Sequence, residues 1–143
     1  KLKNYFNFYG SQFSLPPLLI NMELKNKTII ITGAARIGQK VAEDLKNRGV
    51  NLVIAYFNNP DEAKLGLGVQ ADVSKIKDVQ HVVDVAKKEF GEIHGLVHMA
   101  AIYEKTKWDD LDENSFDKNM NIIAKSSFLF GKILGDEMLK NSG

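Results

Sequence analysis

One junction limits the fold more than any other feature. A continuous run of β-branched residues, Thr28-Ile29-Ile30-Ile31-Thr32, passes directly into Gly33-Ala34-Ala35-Arg36-Ile37-Gly38. A β-branched run with no polar alternation fits a strand buried on both faces, the situation of strands in a parallel sheet. The small residues that follow let the backbone turn sharply and approach a ligand. N–H groups at the start of a helix beyond such a turn can bind a diphosphate without any charged side chain. No Gly-Lys-Ser/Thr ending follows, so the segment does not read as a phosphoryl-transferring P-loop.

The rest of the chain alternates in the same sense. Val41, Ala42 and Leu45 recur at helical spacing until Arg48-Gly49, where Gly49 takes the place of a C-terminal stop. Asn51 to Tyr56 reads as a second strand closed by Asn58-Asn59-Pro60, Asp61 to Leu65 as a weak helical turn, and Val69-Gln70-Ala71 as a short third strand. Gly66-Leu67-Gly68 reads as a turn. Ser74 is predicted to cap a helix whose Val79, Val82, Val83, Ala86 and Phe90 form one apolar stripe ending at Gly91, and Leu96 to Ala100 reads as a fourth strand. A last helix, capped at Asn114, carries one stripe of Phe116, Met120, Ile123, Ser127, Phe130 and Leu134 and a second of Ile122, Leu129 and Ile133. The first stripe is expected to cover the sheet and the second to meet another subunit, giving a homo-oligomer through this helix. This order predicts an α/β fold of the Rossmann type, a doubly wound parallel sheet.

Composition excludes several classes. Lys and Arg number 19 against 18 Asp and Glu, a net charge of +1, so nothing argues for nucleic acid or an anionic membrane surface. With no cysteine there is no disulfide, zinc-thiolate site or Cys nucleophile. Of the three histidines, His94 and His98 are close in sequence, but no further ligand completes a metal set. Residues 1–21 stand apart, with Tyr5, Phe6, Phe8, Tyr9 and Phe13 and the Pro16-Pro17 pair. They are read as an N-terminal extension outside the fold, with the domain running from Met22 to Gly143. The apolar stretch Leu15 to Ile20 is broken by that Pro pair and too short for a secretory signal or a membrane span, so a cytoplasmic location is expected.

Three segments in order, Ile31-Thr32-Gly33-Ala34-Ala35-Arg36-Ile37-Gly38 after the first strand, Ala71-Asp72-Val73-Ser74 after the third and Val97-His98-Met99-Ala100-Ala101 after the fourth, resemble the short-chain dehydrogenase/reductase family of the classical type. Trp108 to Leu134 is similar to that family's long fifth helix. The resemblance covers residues 22–143 and implies the cofactor-binding portion of an oxidoreductase. Such an enzyme would transfer hydride between a nicotinamide cofactor and a small carbonyl or alcohol, 3-oxoacyl reduction being one form.

By that resemblance Gly33, Ile37 and Gly38 would line the cofactor diphosphate and ribose. Asp72 would accept a hydrogen bond from the adenine amino group with Val73 against the ring, and Ala100 and Ala101 would meet the nicotinamide-side ribose. An acidic residue at the end of the second strand would mark NAD. Here that region reads Ala55-Tyr56-Phe57-Asn58, so Tyr56 joins the candidate cofactor residues, and Arg36 is placed to pair with a 2′-phosphate. NADP(H) is therefore expected over NAD.

Departures from the family pattern are equally specific. Gly33 and Gly38 are one residue closer than usual, and the helix between the second and third strands is about two turns short. Met99 stands where many members have an amide, and Ile123 aligns with the catalytic Asn, while Asn121 is expected to point elsewhere on the helix. Tyr103-Glu104-Lys105-Thr106-Lys107 matches Tyr-x-x-x-Lys literally but in a predicted loop, so no catalytic residue is assigned. The expectation is an enzyme portion inactive by itself, its Ser, Tyr and Lys belonging to polypeptide beyond Gly143. A domain ending at this point would expose the edge of the fourth strand and is expected to aggregate or dimerise there. The competing reading is a non-catalytic nucleotide-binding relative or interaction protein, and a flavodoxin-like signalling domain fits the strand order but not the motifs.

Overall fold

The structure, a computed structural model, describes residues 23–141. The 1–21 extension therefore lies outside the described residues. Four parallel strands, β1 (Thr28–Thr32), β2 (Asn51–Tyr56), β3 (Leu67–Gln70) and β4 (Gly95–His98), form one sheet in the order β3-β2-β1-β4. Helices α1 (Ile37–Asn47) and α2 (Ile76–Phe90) form two of the crossovers. Helix α3 (Glu113–Met120), a π-turn (Asn121–Lys125) and α4 (Ser126–Asn141) make up the last helical rod.

Alternation along β1 and β2 sorts the core into two layers. Ile30, Val53 and Ala55 face α2 and α4, packing with Val79, Val82, Val83, Ala86, Leu129, Phe130 and Leu134. Ile29, Ile31, Leu52 and Ile54 face the other way, onto Ala42 of α1 and Ala63. All five residues of β1 are buried, as its β-branched run requires. Gly49 and Gly91 take positive φ (78° each), ending α1 and α2 where the sequence placed stops. Lys87 of α2 and Glu137 of α4 form an ion pair at 2.5 Å between the two helices of one layer.

Several element boundaries differ from expectation. The third strand starts earlier, with Gly68 in register with Ile54, so Gly66-Leu67-Gly68 is not a free turn. A β-carbon on Gly68 would lie 2.7 Å from Cβ of Ala63, so the short 3₁₀ turn Pro60–Ala63 can sit on the strand only because position 68 is glycine. The fourth strand is Gly95–His98 rather than Leu96–Ala100. Helix α2 is capped at Lys75 with no side-chain bond, because the Ser74 hydroxyl and N–H both bond Asp72 Oδ1, at 2.7 and 3.0 Å. The cap of α3 is Asp112, which accepts from Ser115 N–H at 2.8 Å, not Asn114.

The two apolar stripes of the last rod are also divided differently. Leu129, Phe130, Ile133 and Leu134, drawn from both stripes, pack on the sheet, while Phe116, Met120 and Ile123 are exposed. The division falls at the π-turn. Ser126 and Ser127 donate their hydroxyls to the carbonyls four residues back, Ile122 and Ile123, a bonding pattern that loosens and bends helices. One added residue per turn there shifts the helical phase.

Candidate nucleotide cleft

The C-terminal ends of β1, β2 and β4 open onto a cleft of about 1080 Å³, at the top of the ~300–1,000 Å³ range of small-molecule and cofactor sites. It lies where open parallel sheets carry ligands, beyond the strands' carboxyl ends. Gly33, Arg36, Ile37 and Gly38 form one wall. Asp72 and Val73 lie at another, and Ala100 and Ala101 at a third. Eight of the nine expected cofactor residues therefore line one space.

The loop from β1 to α1 is closely packed. Gly33 has φ 72°, and a β-carbon there would come within 2.6 Å of the Met99 carbonyl oxygen. One on Gly38 would lie 2.1 Å from the Gly33 carbonyl oxygen. Gly38 N–H donates to the Ala35 carbonyl at 2.9 Å, closing a four-residue turn around Arg36 and Ile37. Arg36 has φ 48° and ψ −104°, the angles of the first central position of a type II′ turn, normally glycine. An arginine thus holds backbone angles that ordinarily fall to glycine. No side chain caps the start of α1, and Ile37, 72% exposed, lies open at the cleft.

Tyr56 is the exception. Its ring packs toward the α1 layer, 3.3 Å from where a β-carbon on Gly68 would stand, and it is not among the cleft residues. Strand alternation is the reason: Ala55 and Phe57 face the cleft, together with Asn58. Glu62, from the 3₁₀ turn, also lines the cleft, a carboxylate that a search of the strand end alone misses. Asp72 is partly engaged, since its Oδ1 holds the Ser74 hydroxyl and N–H. Asn121, expected to point away, lines the cleft with Ile122, because the π-turn changes the face it presents. Ile123 does not line it and is 42% exposed.

Below the cleft floor runs a directional chain of hydrogen bonds. Thr32 Oγ1 accepts from Ala100 N–H (3.1 Å) and shares Met99 N–H (3.2 Å) with the Thr32 carbonyl, which lies closer at 3.0 Å. Because the Ser126 hydroxyl is donated to the Ile122 carbonyl, Ser126 must accept from His98 Nε2, and the Thr32 hydroxyl donates to His98 Nδ1 at 2.8 Å. With Nδ1 accepting, Nε2 carries the proton and donates to Ser126 Oγ, also at 2.8 Å. The Ser126 hydroxyl passes on to the Ile122 carbonyl. Thr32 and Ser126 are both fully buried, and the His98 ring lies 5.6 Å from that of Phe130. Burial holds the His98 pKa below its ordinary 6.5. His94 is engaged separately, accepting from Thr28 N–H at 3.1 Å, so the two histidines do not form a common site. Among the described residues no helix is long and apolar enough to cross a membrane.

Residues 33–143 match the family model described as Enoyl-(Acyl carrier protein) reductase. An NAD-dependent glycerol dehydrogenase of Listeria innocua is 31% identical over 134 residues, covering 86% of this chain and 52% of that protein. The chain belongs to the short-chain dehydrogenase/reductase family. A short-chain dehydrogenase from Bacillus anthracis superimposes with a TM-score of 0.77 at 26% identity, over 82% of this chain and 54% of that one. A 3-oxoacyl-[acyl-carrier-protein] reductase of Staphylococcus epidermidis is 27% identical over 120 residues, covering 70% of this chain and 49% of that protein. This short-chain dehydrogenase/reductase chain thus spans about half the length of these relatives, and its Rossmann-type sheet is the part they share.

Proposed function

We propose that this chain is the cofactor-binding half of an NADP(H)-dependent oxidoreductase acting on a small carbonyl or alcohol. The carrying observation is the uncapped start of α1 opening into the cleft with Arg36 at its turn. N–H groups at a helix start that no side chain caps favour a diphosphate, although the Gly38 N–H is itself held by the Ala35 carbonyl. A guanidinium beside them matches a 2′-phosphate. Arg36 makes no ion pair with any described residue, and the end of β2 offers Ala55, Phe57 and Asn58 to the cleft rather than a carboxylate. When bound, the cofactor supplies the hydride, and the chain's own residues bind and orient it. In this reading Asp72 and Val73 hold the adenine, Ala100 and Ala101 allow close approach of the ribose, and the proton-transferring groups come from polypeptide outside this half. The names of the relatives, glycerol dehydrogenase and 3-oxoacyl reductase, support a small hydroxyl or carbonyl substrate.

The exposed Phe116, Met120 and Ile123 support a homo-oligomer through the last rod, on different residues from those expected. The absence of a membrane-crossing helix among the described residues is compatible with a cytoplasmic enzyme.

Glu62 in the cleft and the NAD-dependent name of the Listeria relative favour a second reading, NAD as cofactor. Fluorescence titration of the chain with NADPH and NADH separates them. Tighter NADPH binding, by about tenfold for a phosphate–guanidinium contact, supports the first reading. Tighter NADH supports the second. Binding of neither leaves a non-nucleotide relative, the outcome that overturns both.

A further inference from the structure

We propose that His98 is a positioning residue that locks the π-turn of the last rod to the cofactor end of β1, and that it does so only as the neutral Nε2–H imidazole. The lock rests on the hydrogen-bond chain alone. Its effect on cofactor binding rests on the reading above.

The chain runs one way, from the Met99 and Ala100 N–H groups through Thr32, His98 and Ser126 to the Ile122 carbonyl. Each hydroxyl donates once. The bridging side chain must therefore accept at one end and donate at the other, and a neutral imidazole does so across a rigid ring. Its two ends join opposite sides of the cleft. Thr32 holds the backbone of Met99 and Ala100, while Ser126 holds the turn that presents Asn121 and Ile122, and all four of these residues line the cleft.

Protonation would reverse the Nδ1 end. An N–H there would compete for a hydroxyl oxygen that already accepts Ala100 N–H and shares Met99 N–H with the Thr32 carbonyl, so Thr32 would give up one of these side-chain bonds or lose His98. Among the described residues no carboxylate hydrogen-bonds or ion-pairs with the His98 ring. β1 contains no titratable residue. On α4, Lys132 and Asp136 pair with each other and Glu137 pairs with Lys87 and Lys140, while Phe130 presents only its ring. Lys125, in the π-turn, is exposed; of the charged groups lining the cleft, Glu104 and Lys118 pair together, and Arg36, Glu62, Asp72, Lys75 and Asp117 make no hydrogen bond or ion pair with His98. The lowered pKa of the ring, caused by burial, agrees with this arrangement. A histidine depressed in the fold lends stability that is complete above its ordinary 6.5 and is lost as pH falls through the lower folded value.

The test is imidazole ¹⁵N NMR on the 143-residue chain, with amide exchange across 121–126 and NADPH titration from pH 8 to 5. Expected are an Nε2–H tautomer at pH 8 and, on acidification, faster exchange in the π-turn together with NADPH binding weakened by about tenfold, the worth of one or two such hydrogen bonds. Ser126→Ala, which removes the acceptor, should show fast π-turn exchange at every pH and a flat NADPH profile. Thr32→Ser should preserve the pattern and Thr32→Val should lose it. An Nδ1–H tautomer at pH 8, or a Ser126→Ala chain with the parent's exchange and profile, overturns the proposal. Failure of NADPH to bind at any pH removes the cofactor reading, while the tautomer and exchange results still decide the lock.

Discussion

Gly38 rests on the carbonyl of Gly33, with no room for a β-carbon between them: one placed on Gly38 would stand 2.1 Å from that oxygen. Alanine is the better helix former by about 1 kcal/mol, and Gly38 lies in the first turn of α1, so helix propensity alone would favour the exchange. The overlap is with backbone, which no rotamer change can relieve, and overpacking of this kind costs about 1–3 kcal/mol. Gly38→Ala is expected to destabilise, by up to about 2 kcal/mol net, in urea unfolding. A neutral or stabilising result would mean that the loop opens more easily than its geometry implies.

Phe130 and Phe116 lie on one predicted stripe but in opposite settings, fully buried and 62% exposed. Phe130→Ala should cost about 3–5 kcal/mol. Phe116→Ala should stay within about 0.5 kcal/mol in the dissociated chain, at concentrations too low for it to associate. Thermal and denaturant unfolding of the two variants side by side measures the contrast.

Asp112 titrates below its ordinary 3.8, chiefly because the Ser115 hydroxyl and then the Ser115 N–H donate to its carboxylate. A depressed carboxyl contributes to the fold above 3.8, and that contribution is lost as pH falls through the lowered value. Ser115→Ala should move the Asp112 titration back toward 3.8 and fray the start of α3, both visible in carboxyl and amide NMR. An unmoved titration would show that the hydroxyl does not carry the shift.

If Arg36 holds the 2′-phosphate as proposed, Arg36→Ala should weaken NADPH binding by about tenfold or more, the worth of a charged hydrogen-bonded contact, and leave NADH within about twofold. Equal loss for both cofactors would place the arginine on the diphosphate instead. Glu62→Gln is the complementary variant: it should improve NADPH binding if the carboxylate stands near the phosphate.

The buried layers were readable because β1 and β2 are so strongly apolar that only a two-sided sheet can accommodate them, and the cleft followed from the junction after β1. Tyr56 was misplaced because pattern identifies the strand end without saying which alternate side chain faces the ligand. Glu62 was invisible because a 3₁₀ turn four residues past the strand brings it back. The last rod misled for another reason. A 3.6-residue period assumes an unbroken α-helix, and serine hydroxyls at 126 and 127 interrupt it through carbonyl bonds that no hydrophobicity pattern records. The His98 chain needed the same hydroxyl, together with two strands far apart in sequence.

Arg36 carries two demands at once. Its backbone occupies angles that suit glycine, a cost of order 1–3 kcal/mol, while its side chain is a charged group at the cleft end of α1. Replacement by glycine would relax the turn and discard the guanidinium in the same step. Under the NADP(H) proposal, selection for a sturdier fold and selection for cofactor choice would pull this position in opposite directions, and the arginine's persistence in descendants of this chain would register which of the two has mattered more.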